Sequence, residues 1–474
     1  MSSRKAPKLY SAFMTDITTQ LQAIAGSHNL LEGDAIPDDY WHDEVLNHPP
    51  QQPAYVAKPV TADEVAQLLK IATEHRVPVT ARGSGTGLSG AALPRKDGLV
   101  ISFERMNKVL EVDTTNQVAV VQPGVTLIEL DAATASDGLR YMVQPGELSS
   151  SVGGNVGTNA GGMRAVKYGI ARHNVLGLQA VLATGEIIRT GGKIAKVSTG
   201  YDLTQLIVGS EGTLALATEV IVKLHPRLDH SATVLAPFAD FDQVMEAVPH
   251  VISSGLGPCI LEYIDNLTMA ALVHTQNLEL GIPDKIRDNC QAYLVVGLEN
   301  RTADRLDEDV ERTGELLAEL GAADAYVLEG GSARKLIEAR ENAFWTLKAI
   351  GADDLIDTVV PRGAMPKFLE GVRGLATAAG GGAAGCGHAG DGNVHLAIFC
   401  QDADIRKKLL TDIFALAMEL GGAISGEHGL GRAKAPYWRE LEDPVKVDLL
   451  HRIKQTFDPA GILNPDVVFA AAPE

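Results

Sequence analysis

From residue 61 to 76, apolar residues recur at helical spacing. Val65, Leu68, Leu69 and Ala72 form one stripe, and polar residues fill the other positions. Thr61 stands where an N-cap belongs, and Glu64 follows three residues later as a capping-box partner. The pattern then shortens. "VPVTAR", "GLVISF", "QVAVVQPG", "LQAVLATGEIIRT" and "TLALATEVIVKL" read as short strands, and the Thr184-Gly185 pair between two apolar runs reads as a hairpin turn. Residues 1 to 50 read as an amphipathic helix followed by a polar segment. Near "LHPRLDH" the texture changes. From 230 to 420, helix-like stretches such as "DRLDEDVERTGELLAELG" alternate with strand-like ones such as "CQAYLVVGLE", and "VDLLHRIKQTFDPAGILNP" predicts a helix running into a Pro/Gly-rich tail. A domain boundary is placed close to Pro226. No internal repeat or low-complexity linker is evident.

A chain of 474 residues is long enough for two or three domains and a large core without staples. The formal net charge of -19 argues against nucleic acid and against anionic lipid surfaces as partners, since both would repel it. A small acidic substrate is not excluded, because a local Arg or a metal overrides a global field. Cys259, Cys290, Cys386 and Cys400 form no CxxC pair. That pattern fits neither a zinc knuckle nor a disulfide framework and points to a reducing compartment. The N-terminus lacks the apolar core of a secretory signal. No apolar run reaches membrane-spanning length, so no integral membrane segment is expected.

Glycine is dense from 83 to 215, and three glycine loops carry polar donors: "ARGSGTGLSGAALP", "GGNVGTNAGG" and "GSEGTL". The first contains Gly85-x-Gly87-x-x-Gly90 directly after a strand. A Rossmann site would need a helix next, but Pro94 and the strand at Leu99 follow within a few residues, so that reading is rejected. A strand, a tight loop rich in free N–H groups and a second strand can still form an anion-binding nest. Ser84, Thr86 and Ser89 would add hydroxyls and Arg82 a charge. Three such loops point to a long phosphorylated or heteroaromatic ligand.

A second constellation lies far along the chain. "GCGHAGDGNVHL" places His388 and His395 around a run too glycine-rich for a helix. Alone, it is either a polar surface loop with two incidental histidines or half of a metal site. "SGEHGLGRAK" supplies Glu427 and His428, again beside glycines. Two imidazoles and a carboxylate suit zinc or manganese, and three protein ligands leave positions open, as catalytic sites require.

These motifs, with "KYG", "TGYDLTQLIVGSEGTL" and "FDPAGILNP", follow one another from residue 78 to 465. In that order the chain resembles the FAD-linked 2-hydroxy-acid dehydrogenases of the vanillyl-alcohol-oxidase superfamily, in the branch of the glycolate oxidase FAD subunit, D-lactate dehydrogenase and D-2-hydroxyglutarate dehydrogenase. The resemblance implies an α+β fold in two parts: a two-subdomain FAD-binding domain (1–228, core 50–228), and an α+β cap or substrate domain with an antiparallel sheet that carries the metal site (229–430). A C-terminal segment (431–474) would return to the FAD domain.

The resemblance also implies non-covalent FAD. Arg82, Gly83, Ser84, Gly85, Thr86, Gly87, Leu88 and Ser89 would cradle the pyrophosphate. Pro145, Gly146, Ser149, Gly154, Asn155, Thr158 and Gly162 would line the ring and ribityl side. Gly169, Glu211 and Gly212 would complete the adenosine end, and Asn464 would approach the flavin from the tail. His388, His395 and Glu427 would hold the divalent metal, and His428 would be the catalytic base. Arg340 in "EARENAF" would contact a substrate carboxylate, the alternative being a helix-surface Arg, and Arg362 is a weaker candidate.

The implied reaction is oxidation of a D-2-hydroxy acid of the D-lactate or glycolate class to the 2-oxo acid. Electrons would leave to a quinone, a cytochrome, an iron–sulfur subunit or an electron-transfer flavoprotein. The expected placement is cytoplasmic or peripheral to the inner membrane, and a homodimer is allowed. Where the 2-hydroxyglutarate branch has an Asn two residues beyond the second His, this chain has Ala397; where that branch has a Lys, it has Leu355. Both differences favour a small or apolar acid over a dicarboxylate. A D-2-hydroxyglutarate dehydrogenase and a FAD-holding subunit of a larger oxidase remain alternatives, as does a non-redox alkyl-ether synthase, against which the "GEHG" context argues.

Overall fold

The computed structural model describes residues 17–328 and 330–469. The first sixteen residues of the expected N-terminal helix lie outside that range. The helix Ala62–His75 forms as its pattern predicts. Thr61 accepts from the Glu64 N–H at 3.2 Å, while the Glu64 carboxylate turns back to the N–H of Val60 at 2.7 Å. The buried stripe packs on a four-stranded sheet in the order Leu30–Glu32, Tyr55–Ala57, Leu99–Ser102, Val79–Arg82. Val79–Arg82 and Leu99–Ser102 run parallel with no helix between them.

A five-stranded antiparallel sheet follows, in the order Val109–Asp113, Val118–Val121, Ala215–Lys223, Val175–Leu182, Ile187–Gly191. Its hairpin turns at Thr184 and Gly185, where Gly185 has φ +86°. A side chain there would be strained, and its Cβ would meet the Ala66 carbonyl at 2.7 Å.

From His230 the chain builds a seven-stranded antiparallel sheet, ordered Tyr326–Leu328, His230–Phe238, Ala292–Asn300, Ile260–Asp265, Gly382–His388, Asn393–Phe399, Asp354–Val359. Helices cover both faces. One face packs on Phe241–Ser253, Met365–Ala378 and Ala403–Glu419 through a core that includes Val244, Phe368 and Phe414. The other packs on Asn266–Gln276, Gly330–Glu341 and Ala343–Ala349 through Ile264, Leu272, Leu336 and Ala343. Ile462 and Leu463, near the end of the chain, join the core under the first sheet, and Leu463 bridges Val79. Glu299, on the seven-stranded sheet, is surrounded by Arg164, Lys167 and Tyr168 from the glycine-rich half. The fold is α+β, in two parts. Among the described residues no helix is long and apolar enough to cross a membrane.

Candidate functional site

The first glycine loop leaves the edge strand Val79–Arg82 at the mouth of a cavity of about 310 Å³, within the range of ligand pockets. Gly83 through Leu88 line it, facing the helix Val152–Thr158 with Gly154, Asn155 and Thr158, the turn at Pro145 and Gly146, and Glu211 with Gly212. The backbone N–H groups of residues 84 to 88 donate to no described residue. The Asn155 amide nitrogen and the Ser210 hydroxyl are buried at the same wall without hydrogen-bond partners among the described residues. A Cβ added at Gly157 would meet nothing within 4 Å, so that glycine keeps open space rather than accommodating a neighbouring chain segment. Unspent donors around a long glycine-walled cleft are what an extended phosphorylated ligand requires.

Among the described residues no Lys or Arg lines this cleft. Arg82, expected to add charge to the loop, does something else. Its Nη1 donates to the carbonyl of His42 at 2.6 Å, and its guanidinium lies against the Tyr40 ring. A Cβ on Gly85, itself at φ +76°, would fall 2.1 Å from Arg82 Nη2. The loop therefore closes over Arg82, and the strap Tyr40–Glu44 holds it from outside, with the Glu44 N–H donating to Gly87 O at 2.8 Å.

Five other expected contacts lie outside the cleft lining, and one of them, Gly162, lines the smaller cavity described below. Ser89 donates to Gly429 O at 3.1 Å. The Ser149 carbonyl accepts from Ser84 Oγ at 2.8 Å. Gly169 packs against His173. Asn464 donates to the carbonyls of Ala91 and Glu211 at 2.8 and 2.7 Å, tying the tail behind the loops rather than facing the cavity. Glu211 lines the cleft, but its carboxylate is spent on the N–H groups of Leu430 and Gly431 at 3.2 and 2.9 Å. Burial pushes its carboxyl up to about 7. This clasp explains the glycines around His428: a Cβ at Gly429 would lie 2.4 Å from Glu211 Oε1, and one at Gly431 1.8 Å from the Ser89 carbonyl.

The histidine segment is no surface loop. His388 ends the strand Gly382–His388, His395 lies in Asn393–Phe399, and the two strands form a hairpin inside the seven-stranded sheet. Glycine is needed there because the partner backbone approaches closely; a Cβ at Gly385 would sit 2.0 Å from the His395 carbonyl. Cys386, His395 and Asp357 pair directly across three strands, so their side chains share one face. Glu427, on the turn before the helix Gly431–Leu441, reaches this face. Its Oε1 is 3.1 Å from His388 Nε2 and 3.3 Å from His395 Nε2, and the three ligand atoms lie within 4.8 Å of one another.

Two carboxylates that the sequence reading passed over hold this set in place. Glu262 Oε1 lies 2.6 Å from His388 Nδ1, and its Oε2 lies 2.7 Å from Arg340 Nη2. A carboxylate on Nδ1 fixes the ring and leaves Nε2 facing Glu427. Asp357 is fully buried and accepts from Lys434 Nζ at 3.1 Å, Asn393 at 2.8 Å, Ser425 at 2.9 Å and the backbone N–H groups of Gly426, Glu427 and His428. It shapes the turn that presents Glu427 and His428.

Burial opposes charge throughout this cluster, and the partners decide each outcome. Glu262 and Glu427 raise the His388 pKa well above the ordinary imidazole value. His388 and His395 hold Glu427 well below the carboxylate range, and Lys434 with His428 does the same for Asp357. His428 differs: about a quarter of its side chain is open, yet burial of the rest pushes its pKa down to about 4, so it is neutral near pH 7.

A second cavity of about 90 Å³ lies on this face, lined by Arg340, His388, His395, Glu427, His428 and Gly162 among others. Leu88, Pro145, Gly146, Glu341, Phe344, Glu427 and His428 line both cavities, so the donor cluster opens onto the glycine-walled cleft. Arg340 is buried rather than on a helix surface, and its Nε has no hydrogen-bond partner. Arg362 is exposed and lines neither cavity.

Known proteins match along nearly the whole chain. Residues 53–191 match the family model described as FAD binding domain, and residues 227–468 match FAD linked oxidases, C-terminal domain. An uncharacterized FAD-linked oxidoreductase of Mycobacterium tuberculosis is 76% identical over 456 residues, 96% of this chain and 99% of that one. The glycolate oxidase subunit GlcD of Bacillus subtilis is 37% identical over 96% of this chain and 97% of its own. A D-lactate dehydrogenase of Anaerostipes hadrus is 35% identical, covering 92% and 94%. Among solved structures, p-cresol methylhydroxylase with substrate bound superposes with a TM-score of 0.81 at 18% identity, covering 97% of each chain.

Proposed function

Because the chain belongs to the FAD-linked oxidases and is a FAD-dependent oxidoreductase, we propose that it oxidises a D-2-hydroxy acid of the D-lactate or glycolate class to the 2-oxo acid. The observation that carries this reading is the junction of the two cavities at Glu427 and His428. A substrate at the histidine cluster would face a ligand in the glycine cleft. We assign the cofactor to residues 1–228 and the metal-type cluster to 229–430.

Within this reading the unspent N–H groups of residues 84 to 88 seat the pyrophosphate, and Asn155 and Ser210 offer further donors. Among the described residues no Cys or Tyr lines the cleft, and the only His there is His428. FAD is accordingly held without a covalent tether, and acid precipitation should release it. Two imidazoles and one carboxylate match the donor set of zinc or manganese. When bound, the ion supplies Lewis acidity toward the substrate hydroxyl and the flavin supplies the hydride acceptor.

The chain's own groups do the rest. His428, neutral near pH 7, takes the hydroxyl proton on Nε2, because its Nδ1 faces Asp357 at 4.0 Å. Arg340 offers its free Nε to the carboxylate. Ala343, Phe344 and Leu347 of the helix Ala343–Ala349 wall the site on one side. Electrons leave to a separate acceptor, which could be a quinone, a cytochrome, an iron–sulfur subunit or an electron-transfer flavoprotein. The test is anaerobic mixing of the purified yellow protein with a panel of 2-hydroxy acids. Bleaching of the flavin by at least one of them is expected, and bleaching by none would refute the reading.

A further inference from the structure

The face that carries the histidines changes character within two residues. Asp357, His395 and Cys386 form one cross-strand row. The next row on the same face is Leu355, Ala397 and Ala384, with Leu355 directly opposite Ala397 and Ala397 directly opposite Ala384. The second cavity runs over the Leu355 end of that row. Its far wall is Met163, Ala343, Phe344 and Leu347. Met163, Ala343 and Leu347 are buried, so this wall has packed neighbours and is not a surface groove.

The charges around this cavity point the same way. Among the described residues its only Lys or Arg is Arg340, already paired with Glu262 at 2.7 Å. Glu341, Glu427 and the partner Glu262 are all acids. A second carboxylate on a substrate would find no further Lys or Arg among the described lining residues, and would approach the acid Glu341.

We propose that this row and wall form an apolar side-chain subsite, and that the substrate is a D-2-hydroxy acid with an aliphatic or aromatic side chain of several carbons. Glycolate and dicarboxylates would be poorer substrates. The proposal rests on the 2-hydroxy-acid reading above and refines it. The acid's head group meets Arg340 and the histidine cluster, and its side chain lies along Leu355 toward Leu347 and Met163. Each methylene buried there is worth about fourfold in affinity, so three or four of them separate a C6 acid from glycolate by about a hundredfold.

The test compares anaerobic flavin-reduction kcat/KM for glycolate, D-lactate, D-2-hydroxyisocaproate, D-3-phenyllactate and D-2-hydroxyglutarate on the wild-type holoprotein. The expected result is a rise of about a hundredfold from glycolate to the better of the two large apolar acids, with D-2-hydroxyglutarate at least about a hundredfold below that acid. Leu355→Lys should narrow or reverse the gap between D-2-hydroxyisocaproate and D-2-hydroxyglutarate while bound FAD and metal stay at wild-type stoichiometry. If Leu355→Lys does not fold, Leu355→Asn serves, with a smaller shift in the same direction. Glycolate or D-2-hydroxyglutarate matching the best apolar acid would overturn the subsite while leaving the 2-hydroxy-acid reading intact. Failure of every acid to bleach the flavin would overturn both.

Discussion

The glycine cleft and the histidine cluster meet at Glu427 and His428, but they are built by opposite means. The cleft recognises with backbone. Its walls combine N–H groups and hydroxyls with apolar side chains, and among the described residues no Lys or Arg lines it. The cluster recognises with side chains that are buried, charged and mutually oriented, and each depends on another: Glu262 on His388, and Asp357 on the turn bearing Glu427 and His428. A backbone site tolerates changes of side-chain chemistry but not of volume. A side-chain site tolerates neither, because removing one member strands a buried charge.

Substitutions should separate the two regions, and the largest effect belongs to the cluster. His388→Ala or His395→Ala should abolish turnover and empty the metal site, with the flavin spectrum nearly unchanged. Metal analysis and visible absorption on the same sample check this. His428→Ala should keep metal and flavin yet slow flavin reduction by about two to four orders of magnitude, and high pH should partly restore it as hydroxide replaces the base. If His428→Ala loses metal as fully as His388→Ala, His428 is a ligand and the base lies elsewhere.

On the other side, Gly157→Leu starts a side chain on the cleft wall at a point where its Cβ meets nothing within 4 Å. FAD affinity should fall about a hundredfold while the fold and the metal survive. Undiminished FAD stoichiometry in that variant would move the ligand away from the helix Val152–Thr158.

Asp357→Asn tests whether the cluster depends on its outer partners. Metal affinity should drop about tenfold to a hundredfold, and leaving Lys434 without its counter-charge should cost about 3–5 kcal/mol of stability. The pH dependence has a definite sign. The folded Asp357 carboxyl titrates well below an unfolded aspartate, near 3.9. Its stabilisation is therefore complete above about pH 4 and fades as pH falls toward the folded value. Urea midpoints should show a steeper acid limb in wild type than in Asp357→Asn. The smallest effect is one of salt. With no Lys or Arg among the described residues of the cleft wall, raising ionic strength should leave FAD affinity within about twofold; a large loss would mean that a charged side chain reaches the phosphates.

The two regions also differed in how far the sequence revealed them. Helix Ala62–His75, the hairpin at Gly185 and the Gly83–Leu88 loop follow from local signals, namely a cap, an apolar stripe and glycines between strands. The histidine hairpin escaped strand recognition because its glycines mask the period-two pattern, although they are there to let paired backbones approach. Arg82 was read as a phosphate contact from its place beside the loop, and only the fold brings His42 beneath it. Glu262 and Asp357 went unnoticed because they lie 126 and 38 residues before His388 and His395 in ordinary strands. A signal was present in both: an acid in the middle of a mostly apolar strand, Glu262 in "ILEYID" and Asp357 in "DLIDTV", must find a partner once buried.

The central claim is that both regions act on one substrate. The most direct test is an anaerobic titration of the purified protein with D-2-hydroxyisocaproate, D-lactate and glycolate, before and after treatment with a chelator, following the visible flavin band. The account predicts bleaching by at least one acid beforehand. After chelation it predicts none, although the flavin remains bound, and it predicts recovery when zinc or manganese is restored. Bleaching that persists unchanged in metal-free protein would contradict it.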